Sequence, residues 1–95
     1  MRLIVSEAAA ADFARLHAFL TDKSPPAADR AIAALIAAIQ SLDSFPERGR
    51  PSGRPNVREL IVPFGRSGYV LRYAYRAPDD EIVVLRIWHG REARE

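Results

Sequence analysis

The sequence predicts one α+β domain over residues 1–95, in which a short N-terminal strand and a two-helix antiparallel hairpin pack on an antiparallel sheet of three to four strands. Three observations lead there. Before residue 44, apolar residues recur twice at the three-and-four spacing of a helix. Across residues 45–56 that pattern dissolves into prolines, glycines and arginines. From Val57 a pattern returns with a period of two, as strands require.

Each element has its own signal. Arg2 to Val5 alternates weakly and reads as a short first strand. Ser6 is a good helix N-cap, and Glu7 suits the positive end of the helix dipole. Ala9, Phe13, Leu16 and Leu20 then predict an amphipathic helix over about 7–21. Ser24-Pro25-Pro26 is a second start, a capping serine before proline at the first helical position. Ile32, Leu35, Ile36, Ile39 and Leu42 trace one apolar stripe, and this helix should end near Ser44. Alanines between the stripes permit close approach, so the two helices form an antiparallel hairpin. Residues 45–56 hold three prolines, two glycines and three arginines and read as a loop. Val57–Val62, Tyr69–Arg76 and Ile82–His89 are strand-like, and the turn sequences at 65–68 and 77–80 join them into a meander.

Composition narrows the class. The 48 % hydrophobic and 27 % charged residues describe an ordinary globular protein. No apolar run approaches the roughly 18 residues that span a bilayer, so no membrane association is expected. Glu7 and Asp12 interrupt the first apolar stretch, which argues against a signal peptide; a soluble cytoplasmic protein is expected. With no cysteine there is neither a disulfide framework nor a thiolate metal site. Charge is unevenly spread, which tells more than the net of +2. Residues 45–76 carry seven arginines (Arg48, Arg50, Arg54, Arg58, Arg66, Arg72 and Arg76) against Glu47 and Glu59. Such a cluster either faces an anionic partner or forms a solvated face.

The last third concentrates the chemistry. In the strand from Tyr69, alternation puts Tyr69, Leu71, Tyr73 and Tyr75 on one face and Val70, Arg72, Ala74 and Arg76 on the other. In the final strand, it puts Val83, Leu85, Ile87 and His89 opposite Ile82, Val84, Arg86 and Trp88. Tyrosines on a sheet commonly pack in the core with the hydroxyl at the rim, and Trp88 suits either a core plug or an exposed anchor. His89 ends a strand with Arg91 two residues on. An imidazole there could exchange protons near neutral pH, and an arginine could steady a negatively charged transition state. One histidine without neighbouring carboxylates is too few ligands for a metal, and no cofactor motif is visible. Arg15, on the first helix, is expected to lie away from the active surface.

The element order, Phe45-Pro46-x-x-Gly49-Arg50, Arg58-Glu59-Leu60, Ser67-Gly68-Tyr69 with Arg72-Tyr73, and the closing His89-Gly90-Arg91-Glu92 resemble the RelE/ParE superfamily of bacterial toxins. These are the toxin halves of type II toxin–antitoxin, or plasmid stabilisation, pairs. The resemblance covers nearly the whole chain. It implies growth arrest, neutralised by a cognate antitoxin whose C-terminal segment folds along the toxin. RelE-like members cleave messenger RNA on the ribosome, whereas ParE-like members poison DNA gyrase. RelE-like toxins tend to carry an arginine directly after the strand's Gly-Tyr, where this sequence has Val70, and a tyrosine or equivalent beyond the terminal Arg-Glu. The sequence ends at Glu95 without that tyrosine. Arg91 matches the terminal arginine, and His89 falls near a histidine that some ribonuclease members use.

The resemblance therefore implies ParE-like inhibition of gyrase. The alternatives are a RelE-like endoribonuclease in which His89 and Arg91 are catalytic, and a non-toxic binding module. Arg58, Tyr69, Arg72 and Trp88, with Arg48, Arg50 and Arg54 of the loop, are the expected target- or antitoxin-binding residues.

Overall fold

The computed structural model describes residues 1–90 and Glu92. Strand β1 (Arg2–Val5) leads into helix α1 (Glu7–Lys23) and helix α2 (Pro25–Ser41). Then come β2 (Arg50–Pro51), β3 (Val57–Phe64), β4 (Ser67–Arg76), a turn of 3₁₀ helix at Ala77–Asp79, and β5 (Glu81–His89). One sheet holds all five strands in the order β1-β5-β4-β3-β2. β3, β4 and β5 form the expected antiparallel meander, and β1 joins it parallel to β5, with Arg2 opposite Glu81. The two helices cover one face, α1 over β5 and α2 over β3.

The helix boundaries follow from two serines. Ser6 Oγ accepts from the Ala9 amide at 3.1 Å, satisfying an otherwise unpaired N–H of the first turn. Ser24 serves both helices. Its amide donates to the Leu20 carbonyl at 2.7 Å and closes α1, while its hydroxyl accepts from Ala27 at 3.4 Å and opens α2. Pro25 follows at N1, where no N–H is needed. A single residue thus makes the hairpin loop.

Three features depart from the sequence expectation. The sheet has five strands rather than three or four, because Arg50 and Pro51 pair with Glu59 and Arg58 inside the segment read as loop. Two residues are too few to display a period. Ile36, expected on the buried stripe of α2, is 45 % exposed, and Ala28, Ala31 and Ala38 are buried beside Leu35, Ile39 and Leu42. Small side chains let α2 lie close against its neighbours there. Most consequential is an irregularity in β5. Arg72 stands opposite Arg86 and Tyr73 opposite Val84, which leaves Leu85 without a counterpart. This extra residue reverses the alternation. Ile87 and His89 consequently share the helix-facing side with Ile82 and Val84, and Arg86 and Trp88 share the outer side with Val83. The fully buried Tyr73, Leu35, Leu42, Leu71, Ile82, Ile87 and Val84 form the centre of the core between helices and sheet.

Candidate functional site

β1 stops at Val5, but β5 continues to His89, so the upper part of β5 has no strand on its outer edge. Side chains of the following segment take over. Ser6 Oγ donates to the Leu85 carbonyl at 3.0 Å. Asp12 Oδ2 accepts from the Ile87 amide at 2.8 Å, and Arg15 donates to the Ile87 carbonyl at 3.3 Å. Asp12 is buried on α1 and also receives Arg86 at 2.9 and 3.3 Å and Arg15 at 3.2 Å. Burial alone would raise its carboxyl pKa. The hydrogen bonds from Arg86, the Ile87 amide and Arg15 outweigh that and hold it below the ordinary 3.8. Arg15 is therefore part of this end of the molecule, contrary to the expectation that it lies apart.

On the outer face a second carboxylate does the same. Glu59 is buried and accepts Arg72 Nε and Nη2 on one oxygen, at 3.1 and 2.8 Å. Its other oxygen lies 3.9 Å from the Arg50 guanidinium. Arg72, only 16 % exposed, stacks over the Trp88 ring at 4.8 Å. Trp88 itself is 5 % exposed and Tyr69 2 %. The two aromatic rings expected to offer stacking surface are thus packed inside the fold. Neighbouring elements bury each ring, Tyr69 beneath the helices and Trp88 of β5 beneath Arg72 of β4.

The C-terminal tip forms an apolar cleft of about 480 Å³ between α1 and the sheet. Leu16, Phe19, Leu20, Phe64, Tyr69 and His89 line it. The His89 and Tyr69 rings meet edge to face at 5.5 Å, and Phe64 tilts against Tyr69 at 5.9 Å. Glu92 bridges the rim. One of its oxygens accepts the His89 amide at 2.7 Å and the other binds Arg15. Burial, and secondarily the charge of Glu92, push the Tyr69 phenol above its ordinary value, so it keeps its proton at neutral pH. The cleft suits an apolar side chain better than a phosphate. Arg91, named with His89 as a candidate catalytic residue, lies outside the described residues.

The opposite end of the sheet is organised around Tyr73. Its hydroxyl donates to the Pro46 carbonyl at 2.8 Å and accepts from the Gly49 amide at 2.9 Å. A Cβ on residue 49 would come within 2.9 Å of the Tyr73 ring, so only glycine allows this approach. Arg58 reinforces the loop, donating to the Gly49 carbonyl at 2.7 Å with Glu47 3.3 Å away. Arg48 is exposed and donates to Ser41 Oγ at 2.6 Å. Arg50 and Arg54 are exposed as well. Among the described residues no group of three or more His, Cys, Asp or Glu side chains could hold a metal ion. Nor is any helix there long and apolar enough to cross a membrane.

The structure therefore divides the expected site residues. Arg48, Arg50 and Arg54 are open, Arg58 and Arg72 are largely engaged, Tyr69 and Trp88 are buried, and His89 rims the apolar cleft. Sequence reasoning gave Asp12 no role in the site, quoted Glu59 and Glu92 only within motifs or a charge count, and set Arg15 apart. Asp12 did carry a signal, an acid three residues after Ala9 and four before Leu16, on the buried stripe of α1.

The sequence and the fold match known proteins. The family described as "ParE toxin of type II toxin-antitoxin system, parDE" matches residues 3–94. Among curated relatives, "Toxin RelE1" of Caulobacter vibrioides is 46 % identical over 92 residues, covering 97 % of this chain and 96 % of the relative. "Toxin RelE3" of the same organism is 40 % identical over 83 residues, 87 % of each chain. A solved structure described as "Chromosomal ParDE TA system from P. aeruginosa" superposes with a TM-score of 0.77 at 26 % identity, covering 94 % of this chain and 95 % of that one. The chain belongs to the RelE/ParE superfamily of toxins of type II toxin–antitoxin systems.

Proposed function

We propose that this chain arrests growth by binding DNA gyrase in the cytoplasm, without cutting RNA, and that a cognate antitoxin neutralises it. The observation that carries this reading is the commitment of three strand arginines to acceptors within the protein. Arg72 is bound to Glu59, Arg86 to Asp12, and Arg58 to the Gly49 carbonyl and Glu47. Cleavage of a phosphodiester needs a cation released to the developing charge and a group ready to exchange a proton near neutral pH. Here the nearest phenol, Tyr69, is buried with its proton held tightly. A toxin built this way acts by occupying a surface. The match to a family described by the parDE system supports the antitoxin partner and a ParE-like toxin. The names of the two Caulobacter relatives favour the second reading, ribosome-dependent message cleavage using His89 and Arg91.

Inducible expression separates the two. Gyrase inhibition is expected to produce filamentation and DNA-damage signalling, and the purified chain should block supercoiling by gyrase. Codon-positioned cleavage of messages on ribosomes, lost in Arg91→Ala, would overturn the gyrase assignment. Co-purification of the tagged chain with the product of the adjacent gene tests the antitoxin. A soluble, harmless chain obtained alone would count against it.

A further inference from the structure

At the end of the sheet far from His89 lies a recess of about 580 Å³, between the β2–β3 loop and the turn that joins β4 to β5. Arg54, Arg58 and Arg76 line it, with Tyr75, Glu47 and Asp79. We propose that this recess binds the phosphate groups of a nucleotide, either free or within a nucleic-acid strand. The inference goes beyond the gyrase reading and does not rest on it.

The arginines here differ from those at the centre of the sheet. No buried carboxylate neutralises Arg54, and among the described residues its guanidinium has no hydrogen-bond or ion-pair partner. Its position is nonetheless defined. Gly53 and Asn56 take left-handed backbone angles, φ 94° and 61°, and the loop is fastened to the sheet from Ser52 to the Val57 carbonyl and from Tyr75 to the Asn56 carbonyl. Arg76 is 56 % exposed and 3.7 Å from Glu81, a carboxylate it shares with Arg2. Arg58 is held by the Gly49 carbonyl, so little side-chain freedom remains to be lost when a ligand arrives.

Guanidinium groups match the paired oxygens of a phosphate, and the exposed Arg54 and Arg76 line one recess beside the fixed Arg58. Tyr75 is half-buried and presents a firm aromatic wall on which a base can stack. The volume falls within the range of small-molecule sites, about 300–1,000 Å³. Two lining carboxylates, Glu47 and Asp79, oppose an anion here, and a third, Glu81, sits 3.7 Å from Arg76 and is already shared with Arg2. Glu47 already lies 3.3 Å from Arg58, which leaves Asp79 as the main opposing charge. That asymmetry fixes the sign of a test.

The full-length chain is titrated at low salt with ATP and, separately, with a labelled single strand of about 12 nucleotides. Binding of at least one probe is expected. It should weaken by about tenfold or more in the double variant Arg54→Ala/Arg76→Ala and tighten in Asp79→Asn. Arg66→Ala, in the turn between β3 and β4 at the other end of the sheet, should leave it unchanged. Binding of the strand that ATP cannot displace identifies a nucleic acid. Binding of ATP with the same dependence on the arginines identifies a free nucleotide. The proposal is overturned if neither probe binds, if the double variant binds as well as the parent, or if a glutamate-rich peptide displaces both probes more strongly than they displace each other.

Discussion

Arginines occur both at the centre of this sheet and at its loop end, and their surroundings give them opposite characters. At the centre, Arg72 and Arg86 face each other across β4 and β5, and each is held by a buried carboxylate, Glu59 for one and Asp12 for the other. At the loop end, Arg54 stands exposed beside a recess, and its guanidinium has no hydrogen-bond or ion-pair partner among the described residues. The exposed Arg76 lies 3.7 Å from Glu81, against the direct 2.8 and 2.9 Å contacts at the centre. The central pair fastens parts of the fold together. Arg86 ties β5 to α1, and Arg72 ties β3 to β4 while covering Trp88. The outer pair is available to an external anion. A residue type therefore states a capacity, and the opposing group decides whether that capacity is spent within the protein.

Substitutions at the centre should cost stability, and those at the loop end should not. The largest effect is expected at Trp88. Its removal opens a cavity on the outer face and strips Arg72 of its aromatic support, so Trp88→Ala should lose about 3–5 kcal/mol in urea unfolding. Growth arrest would then disappear because the fold is lost. A Trp88→Ala variant that keeps its melting temperature and still fails to arrest growth would make Trp88 a binding anchor and break the comparison.

Asp12 comes next. Asp12→Ala leaves the Ile87 amide without its acceptor and removes the anchor of Arg86 and Arg15, an expected loss of about 2–4 kcal/mol. Its carboxyl pKa is lowered on folding, so its contribution is present above the unfolded value and lost as pH falls through the folded one. The stability difference between the parent and Asp12→Asn should accordingly be constant near neutrality and shrink below pH 3.8. A difference unchanged down to pH 2 would show that the ionised carboxylate contributes nothing.

A smaller effect is expected at Tyr73. Tyr73→Phe keeps the ring but leaves the Gly49 amide and the Pro46 carbonyl without the hydroxyl, at about 1–2 kcal/mol. Because these bonds dock the arginine-bearing loop, the variant should also weaken any anion binding in the recess. The smallest effect belongs to Arg54→Ala and Arg76→Ala, each expected within about 0.5 kcal/mol of the parent. A large loss of stability there would show that these arginines too serve the fold, and the distinction between centre and loop end would fail.

Much of the architecture could be read from residues close together in the chain. Ser6, Ser24 and Pro25 mark the helix starts because capping is a matter of three or four residues. The meander follows from alternation and turn sequences for the same reason, and its three strands lie within two or three residues of where they were expected. The RelE/ParE resemblance was likewise carried by short motifs in their order. The site was less legible. Arg72 and Arg86 were seen as strand arginines, but the carboxylates that hold them sit 13 and 74 positions away.

What the sequence determined by itself is thus the set of elements, their order and the excess of arginine in residues 45–76. The tertiary structure alone decided which arginines remain open. The unmatched Leu85 turned Ile87 and His89 to the helix side and Trp88 to the outer side, which no strict period of two could foresee. Packing of α1 on the unpaired edge of β5 then brought Asp12 to the Ile87 amide and Arg86. Local propensity acts over a few residues, whereas burial and charge pairing act between segments that meet only when the chain is folded. The number of arginines can therefore be counted in the sequence, but their division between fold and surface cannot.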